Sequence, residues 1–383
     1  MFHSDKSLPA PLDASCYSGE AAYVNDVTRL RARGWQLVAT TGMLAKPGDY
    51  FATERLGVPL VIRNHDGQYV AFRNVCAHRS CRIAKPGKGH TEQIKCPFHG
   101  WHYGADGRTR KIPAAKNFPH HDRESYRLAT FRVAQVGQLL FVHLAHSPTA
   151  AEDSETANDV PEPMAQWTQQ FAQRTAAQHW RFVLHRELEF DCDWKIPIEG
   201  ALESYHLAEV HPGTFGEGPD EESTEHLLSV SGTSFETLQR DDSKMARFEE
   251  NVISMLTGSF DPRYRHVHVF PNLMATLTDT LSLVYQTCPI APQRCRMTVF
   301  GFTPAARQWG ILGRGVARWV GWATSYMAMK VLAEDAAIFP EVQSGLNALA
   351  TAGGCQTPRI LGRCEERVHA FQSHWSAHIA QQR

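Results

Sequence analysis

The chain has 383 residues, a length that suggests two or three domains and is ample for a sizeable core. Hydrophobic residues make up 43% and charged residues 21%, a globular composition that argues against disorder. The 39 basic and 40 acidic residues give a formal net charge of -1, which lends no support to a nucleic-acid-binding or basic membrane-binding surface. The 9 cysteines and 20 histidines raise the question of metal binding.

The compartment is inferred from the start of the chain and from its cysteines. The opening MFHSDKSLPAPLD is polar and lacks the apolar stretch of a secretion signal. No apolar run approaches the ~20 residues that cross a bilayer. The cysteines are scattered and do not form a compact disulfide framework. The sequence therefore predicts a soluble, cytoplasmic protein with reduced thiols.

The first part of the chain, residues 35–146, is predicted to be an all-β domain. Short alternating segments are separated there by glycine, proline and aspartate. Residues 58–63 and 69–73 flank the sequence Asn-His-Asp-Gly, in which Asp-Gly is a hairpin signal. Residues 147–163 are rich in Ser, Thr, Ala, Asp, Glu and Pro, which marks a linker and the best candidate boundary.

The second part, residues 147–383, is predicted to be an α+β domain on which the N-terminal segment 1–34 packs. Four segments alternate like strands: 230–238, 266–278, 282–288 and 296–302. Two others have helical periodicity: 316–346 and 365–382. Val368, Phe371, Trp375 and Ile379 form one apolar stripe on the last helix. These elements favour an antiparallel sheet covered by helices.

A first set of candidate metal ligands lies in the β-rich part. Cys76-Ala77-His78 is followed, after 17 residues, by Cys96-Pro97-Phe98-His99-Gly100-Trp101. Two Cys and two His on paired turns suit either a tetrahedral zinc ion or a [2Fe-2S] cluster with one iron held by two His. Zinc fingers usually pair like ligands within each half, whereas each half here supplies one Cys and one His. The arrangement favours the cluster.

This segment, CAHRSC…CPFHGWHYGADG, resembles the C-x-H-R-G…C-P-x-H-G-W pattern of the Rieske domain over roughly residues 35–145. The resemblance implies that Cys76 and Cys96 bind one iron, and that His78 and His99 bind the solvent-side iron.

Three neighbouring residues qualify that expectation. Ser80 stands where glycine is usual, so the turn is either less strained or differently shaped. Phe98 replaces the commoner Tyr, so we expect a reduction potential in the lower part of the Rieske range unless Tyr103 compensates. Respiratory-type Rieske proteins carry a disulfide between their two cluster loops, and Cys81 could be one end of it. Phe98 stands where the partner cysteine would be, so we expect Cys81 to be a free thiol, as in the oxygenase branch of the family.

A second set of candidate ligands lies downstream. His206 and His211 are five residues apart, about 140° around a regular helix, and can meet one ion only if the helix ends or kinks near His206. Pro212 is consistent with such a break. Glu203 stands three residues before His206 and is expected on the same helix face. Two His and one carboxylate form the facial triad of non-haem Fe(II) oxygenases.

The third ligand of that triad is predicted from a resemblance. Residues 333–346 resemble the E-D-x-x-x-x-E-x-V-Q-x-G-L segment of Rieske oxygenase α subunits, in which the Asp binds iron. The resemblance favours Asp335, with Glu334 and Glu341 as lesser alternatives.

Taken over nearly the whole chain, the sequence is similar to the α, or terminal oxygenase, subunit of Rieske non-haem iron oxygenases. The resemblance implies a Rieske domain followed by a helix-grip (START-like) catalytic domain, with a [2Fe-2S] cluster and a mononuclear Fe(II) as cofactors. It also implies an electron path from His99 of one chain through Glu203 to His206 of the next, and hence a head-to-tail homotrimer. Electrons would come from a separate NAD(P)H-dependent flavin reductase, possibly with a ferredoxin. The presence of a β subunit stays open.

The reaction expected is hydroxylation of a small organic substrate by O2. In this family the bridging residue is commonly Asp, and Glu occurs in a subset that includes enzymes oxidising N-methylated ammonium compounds. Glu203 thus favours monooxygenation or oxidative demethylation of a quaternary ammonium, N-methylated or aromatic compound. The alternatives are an aromatic-ring cis-dihydroxylating dioxygenase and a Rieske electron-transfer protein whose second domain only binds a ligand.

The residues that line the substrate pocket are left open by the sequence. An ammonium ion favours an aromatic cage, and the aromatic candidates are Tyr205, Phe215, Tyr264, Phe270 and Tyr285. His266, His268 and Phe270 alternate onto one face of a strand, where packing is slightly favoured over pocket lining. The glycine-rich stretch 310–315 lacks the order of a nucleotide-binding loop and is interpreted as a turn.

Overall fold

The computed structural model describes residues 3, 6–33, 35–118, 125–145, 164–213, 224–238, 243–306, 310–351 and 359–380. The chain divides into two compact units. The small unit is Arg29–Pro161, and the large unit combines Met1–Thr28 with Glu162–Arg383. None of the helices in the described ranges is both long and apolar enough to cross a membrane.

The strands of the described residues are β1 Leu8–Pro9, β2 Trp35–Thr40, β3 Asp49–Arg55, β4 Val58–His65, β5 Gln68–Arg73, β6 Gly87–His90, β7 Ile94–Lys95, β8 His102–Tyr103, β9 Thr109–Lys111, β10 Thr130–Phe131, β11 Val133–Val136, β12 Leu139–His143, β13 Trp180–Phe190, β14 Glu225–Ser229, β15 Gly232–Leu238, β16 Arg263–Val269, β17 Leu273–Leu277, β18 Ser282–Ala291, β19 Arg294–Pro304 and β20 Ile360–Leu361. The helices are α1 Gly19–Ala32, α2 Met164–Arg174, α3 Lys195–Ala201, α4 Leu207–Val210, α5 Lys244–Thr257, α6 Gly310–Thr351 and α7 Glu366–Ala380.

The small unit is built from antiparallel sheets. A five-stranded sheet has the order β10-β5-β4-β3-β6, and two three-stranded sheets have the orders β11-β12-β2 and β7-β8-β9. The predicted hairpin joins β4 to β5 through Asp66 and Gly67, both with positive φ (53° and 92°), which is the backbone that a two-residue hairpin turn requires. Its buried cluster includes Val61, Phe72 and Leu128.

The large unit is a seven-stranded antiparallel sheet in the order β13-β19-β18-β17-β16-β15-β14, accompanied by helices. Helix α6 packs on β13, β19 and α3. On α7 the predicted apolar stripe is buried at Val368, Phe371 and Trp375, while the side chain of Ile379 lies outside the described residues. The predicted α+β class, a β domain followed by a helix-grip domain, is confirmed.

Two local predictions were wrong. Residues 266–278 are two strands, β16 and β17, because the chain turns at Phe270-Pro271 and proline cannot donate to the ladder. The stretch 310–315 is the first part of α6, a helix of 42 residues, and not a turn. Gly313 is buried there, so tertiary packing outweighs the low helix propensity of glycine.

Candidate functional site

Two loops of the small unit have the same backbone pattern. In the first, the amide of Ser80 donates to the carbonyl of Cys76 at 3.0 Å; in the second, the amide of Gly100 donates to the carbonyl of Cys96 at the same distance. The donor residue of each loop has positive φ, 56° for Ser80 and 70° for Gly100. Ser80 therefore adopts the left-handed backbone that glycine favours, so the turn keeps the shape expected for glycine and is not relaxed.

These loops place the four predicted cluster ligands together. The Cys76 and Cys96 side chains are buried, and the His78 and His99 rings meet edge to face with centroids 4.6 Å apart. Trp101 stacks on His78 at 4.9 Å and fixes the orientation of its ring. Among the described residues, the buried Nδ1 of His78 has no hydrogen-bond partner, as expected of a nitrogen that binds iron. The donor set fits a [2Fe-2S] cluster with one Cys₂ and one His₂ iron.

Tyr103 provides the hydrogen bond that Phe98 cannot. The Ala77 amide donates to the Tyr103 hydroxyl oxygen at 3.1 Å, so the hydroxyl proton is directed to Cys76 Sγ at 3.0 Å. Phe98 is 56% exposed and lies under the Arg79 guanidinium. A low reduction potential was expected unless Tyr103 compensates for Phe98. Tyr103 is placed to do so, because its hydroxyl donates to the sulfur of a proposed cluster ligand. Cys81 is a free thiol, as expected.

The large unit holds the second set of predicted ligands. His206, His211 and Asp335 offer ligand atoms that all lie within 4.8 Å of one another. His211 Nε2 is 2.9 Å and His206 Nε2 is 3.7 Å from Asp335 Oδ1. The chain breaks between α3 and α4, so His206 precedes the short α4 and His211 follows it. The required helix break therefore exists, and it brings both histidines to Asp335 on α6.

Two further carboxylates orient the histidine rings. Glu203 Oε1 lies 2.5 Å from His206 Nδ1, and Glu334 Oε2 lies 2.8 Å from His211 Nδ1. Because a carboxylate only accepts, each Nδ1 carries the proton and each Nε2 keeps its lone pair for a metal ion. Glu203 reaches His206 across a turn, so the expectation that they share a helix face was wrong. Of the two alternative ligands, Glu334 is hydrogen-bonded to the His211 ring and Glu341 is exposed.

The electrostatics of His206, His211 and Asp335 also suit a cation-binding site. Burial raises the pKa of Asp335, an effect that exceeds the lowering by His211 and His206. Burial is the largest single effect on the pKa of His206 and lowers it, but the hydrogen bond to Glu203 and the negative charges of Glu203 and Asp335 together outweigh burial, so the net shift is upward. A divalent cation beside a buried carboxylate offsets the cost of its charge. Two neutral imidazoles and one carboxylate form the donor set of a mononuclear non-haem iron site.

A buried ion cluster links α3, which precedes the two histidines in the chain, to α6, which carries Asp335. The Lys195 ammonium at the start of α3 lies 2.5 Å from Asp26 Oδ2 on α1 and 2.8 Å from Asp193 Oδ1. The Asp193 amide donates to Gln343 Oε1 on α6 at 2.7 Å. Gln343 follows Asp335 by two turns, so the same network holds α3 and α6 in place.

Two of the candidate pocket residues, His266 and Tyr285, belong to a buried polar chain that includes Arg367, which sequence reasoning missed. Arg367 Nη2 lies 2.9 Å from His266 Nδ1, and His266 Nε2 lies 2.8 Å from the Tyr285 hydroxyl. The Asp335 carboxylate raises and the Arg367 guanidinium lowers the pKa of both Tyr264 and Tyr285, though burial is the largest cause of their net rise. No spacing in the sequence marks Arg367, because its contacts come from distant strands.

The other aromatic candidates have different places. Tyr205 is 72% exposed, and Phe270 is buried against Phe371 and Trp375. His268 bonds the Pro271 carbonyl at 3.0 Å, a packing role. Phe215 lies outside the described residues.

Comparison with known proteins gives concordant results. The family described as "Ring hydroxylating alpha subunit (catalytic domain)" matches residues 177–381, and the Rieske [2Fe-2S] domain matches residues 34–132. The chain is 25% identical over 364 residues to the chloroplastic choline monooxygenase of Beta vulgaris, covering 93% of this chain and 74% of that protein.

Two further similarities complete the comparison. The chain is 28% identical to the glycine betaine monooxygenase oxygenase subunit of Pseudomonas aeruginosa, covering 54% of this chain and 45% of that protein, so this match spans less than half the relative's length. Among solved structures, the quaternary ammonium Rieske monooxygenase CntA superposes with a TM-score of 0.73 at 19% identity, covering 97% of this chain and 95% of that one.

Proposed function

The chain belongs to the family of Rieske-type ring-hydroxylating oxygenase α subunits, and from this premise we propose that it is the terminal oxygenase of a monooxygenase acting on small quaternary ammonium or N-methylated compounds. The observation that carries the proposal is the group of His206, His211 and Asp335. Three ligand atoms on one side of an ion leave other positions for dioxygen, which is the arrangement of non-haem iron oxygenases.

The reaction balances as follows. The ferrous ion and the cluster supply the redox chemistry by which O2, two electrons and two protons convert a C–H bond to C–OH and water. When the carbon is an N-methyl or N-methylene carbon, the resulting hemiaminal breaks its C–N bond to give an amine and a carbonyl compound.

The chain's own residues have distinct proposed parts. Cys76, His78, Cys96 and His99 would hold the cluster, and His206, His211 and Asp335 the mononuclear iron. Glu203 and Glu334 keep the two iron-binding rings in one tautomer through their Nδ1 protons. Tyr103 directs its hydroxyl proton to Cys76 Sγ and so stabilises the reduced cluster.

The substrate class is supported by two lines. The similar curated proteins are named for choline and for glycine betaine, both quaternary ammonium compounds. Aromatic side chains also lie side by side on the sheet, where Phe235 and Tyr264 have ring centroids 5.5 Å apart. Ring faces of this kind stabilise an ammonium group, by about 0.5–2 kcal/mol each.

A substrate screen by oxygen uptake tests the proposal. Purified, iron-reconstituted protein with a generic reductase should consume O2 with trimethylammonium or dimethylamino compounds and release an oxidised product. Activity limited to arenes, with both oxygen atoms in a cis-diol, would replace the proposal with the dihydroxylating alternative.

Metal counting tests the two non-oxygenase alternatives. The proposal requires three irons and two acid-labile sulfides per chain, from one [2Fe-2S] cluster and one mononuclear site. Two irons with two sulfides would indicate an electron-transfer protein. Zinc without sulfide would contradict both metal assignments.

We also infer that Glu203 bridges neighbouring subunits of a homotrimer, with electrons arriving from a separate NAD(P)H-dependent flavin reductase, possibly through a ferredoxin. Two inactive variants test the bridge. Cys96→Ala abolishes the cluster and Asp335→Asn the iron site, so mixed trimers should regain activity because an intact cluster can serve the iron of its neighbour. Mixed trimers as inactive as the separate variants would contradict a path between subunits.

A Glu203→Gln variant isolates the bridging residue itself. It should keep both metals, since Gln still offers an oxygen to the His206 ring, yet turn over much more slowly. Normal coupled turnover would remove Glu203 from the path. Glu189→Gln, on an exposed carboxylate of β13 that bonds Arg294 and Arg296, is the matched control.

A further inference from the structure

The loops that carry the four proposed cluster ligands lie in a strongly basic part of the chain. Residues 76–118 contain nine Lys or Arg and two Asp or Glu, whereas 30 basic and 38 acidic residues make up the rest of a chain whose net charge is -1. All nine basic side chains are exposed: Arg79, Arg82, Lys85, Lys88, Lys95, Arg108, Arg110, Lys111 and Lys116. Of the two acids, Asp106 is paired with Arg110 at 2.8 Å. This part of the surface therefore attracts negatively charged partners.

Three side chains of this segment form a row across the sheet β7-β8-β9. Lys95 on β7 is paired with His102 on β8, and His102 is paired with Lys111 on β9. Directly paired residues of neighbouring strands project from the same face of a sheet. Both lysines are exposed and the histidine is partly exposed, so this face points to solvent. We call the row of Lys95, His102 and Lys111 the basic face.

The opposite face of the same sheet contacts the cluster ligands. Successive side chains of a strand point to opposite faces, and the next residue of β8, Tyr103, is buried with its hydroxyl 3.0 Å from Cys76 Sγ. Lys95 directly precedes the buried Cys96. Its Cε is 3.4 Å from the point where a Cβ on Gly100 of the second ligand loop would lie. The basic face is thus separated from both cysteines by the thickness of one strand.

The charge at the point of electron entry governs how often an electron donor reaches the cluster. Electron-transfer complexes have small interfaces, so a few charges strongly affect association. Opposite charges raise association rates by ~10–1,000-fold at low salt, and salt screens this attraction. Entry beside the cysteine-bound iron also leaves the histidine-bound iron for the proposed path through His99 to Glu203 of a neighbouring chain.

We propose that the basic face is the docking site of an acidic one-electron carrier protein, and that electrons enter the cluster across β7 and β8. The carrier loses one electron and the cluster gains it, with no bond made or broken. This proposal deepens the proposed function and rests on it for the cluster itself. Its own content is the surface of entry and the acidic character of the carrier.

The rate of cluster reduction in the metal-loaded protein tests the proposal without substrate or O2. Anaerobic stopped-flow absorbance would compare three reduced donors: an acidic plant-type [2Fe-2S] ferredoxin, the anionic propyl viologen sulfonate and the cationic methyl viologen. Between ionic strengths of about 0.02 and 0.5 M, the ferredoxin rate constant should fall ~10–100-fold. The rate constant of the anionic viologen should also fall and that of methyl viologen should rise. Because the whole chain has a net charge of -1, this order reports the local charge at the point of entry; the reverse order would overturn the proposal without any variant.

Charge variants then identify the residues. Lys95→Glu combined with Lys111→Glu should slow reduction by ferredoxin ~10–100-fold at low salt and should not slow reduction by methyl viologen. The variant and wild-type ferredoxin rates should converge at an ionic strength of about 0.5 M, where the charges are screened. Lys95→Arg combined with Lys111→Arg keeps both charges and should keep the wild-type rate. Lys46→Glu, on an exposed lysine of the small unit that precedes β3, is the matched control.

The outcomes separate this proposal from the one it rests on. A chain that assembles no cluster, judged by its acid-labile sulfide, would overturn both. If the cluster is present, an equal ferredoxin rate in wild type and the Glu double variant at low salt would overturn the docking face alone. So would a rate difference that persists at high salt, because it would reflect a changed reduction potential. Dissociation of the oligomer by the Glu double variant, measured by light scattering, would assign the face to contact between copies of this chain and likewise overturn the proposal.

Discussion

The hydroxyl of Tyr103 should raise the reduction potential of the cluster, and Tyr103→Phe removes that hydroxyl alone. The Ala77 amide occupies the phenol oxygen, so the only proton of the hydroxyl is directed at Cys76 Sγ, 3.0 Å away. The phenol is 5% exposed, so water cannot easily take its place. Reduction adds negative charge to the cluster, and the bond is consequently stronger in the reduced state.

The size of the effect follows from the strength of such a bond. A hydrogen bond to a charged group contributes about 1.5–3 kcal/mol. If half to all of this distinguishes the two redox states, the potential should fall by ~30–130 mV, at ~59 mV for each ~1.4 kcal/mol in a one-electron couple.

A redox titration of the cluster, followed by its EPR signal, measures this shift. Tyr69→Phe, on a half-buried tyrosine of β5 in the same unit, is the matched control and should leave the potential unchanged. A Tyr103→Phe potential within ~15 mV of wild type would refute the assignment of this hydroxyl to the ligand sulfur, because that shift is well under 1 kcal/mol.

Three other predictions concern the large unit. Asp335→Asn should lose the mononuclear iron but keep the cluster, as measured by iron and sulfide content; retention of all the iron would contradict the ligand assignment. Glu334→Gln should weaken iron binding by ~10–100-fold in a chelator competition, because the His211 ring loses its charged partner; unchanged affinity would argue against that role. Burial raises the pKa of Glu199 to about 7 from its ordinary 4.5, so the folded state binds the proton more tightly than the unfolded state and stability should fall by ~3 kcal/mol as the pH rises from about 4.5 to above 7. Glu199→Gln should flatten this dependence in thermal unfolding at pH 5.5 and 8, and an unchanged pH dependence would refute it.

The grouping of the proposed cluster ligands was predictable because local spacing reflects local geometry. Cys76 and His78, like Cys96 and His99, lie on single loops whose backbone pattern needs only a few residues. The fold class followed from the change between strand alternation and helical periodicity. Asp335 was predicted only through a family pattern, since a carboxylate on a helix has no distinctive spacing of its own.

The remaining features depend on contacts between distant parts of the chain. Arg367 and His266 are 101 residues apart in the sequence, and Glu334 and His211 are 123 residues apart, so no local pattern could reveal either contact. The break between α3 and α4 that joins Glu203 to His206 was expected, but its position depends on how these helices pack. The start of α6 in a glycine-rich stretch shows packing overriding local propensity.

A single-turnover experiment tests the central claim most directly. The iron-loaded protein is fully reduced, freed of reductant and reductase, and exposed to O2 with a quaternary ammonium carboxylate. Because the cluster and the mononuclear iron each hold one available electron, the account predicts close to one oxidised product per chain, and none in Asp335→Asn. Absence of product from wild-type protein that contains both metals and binds the substrate would contradict it.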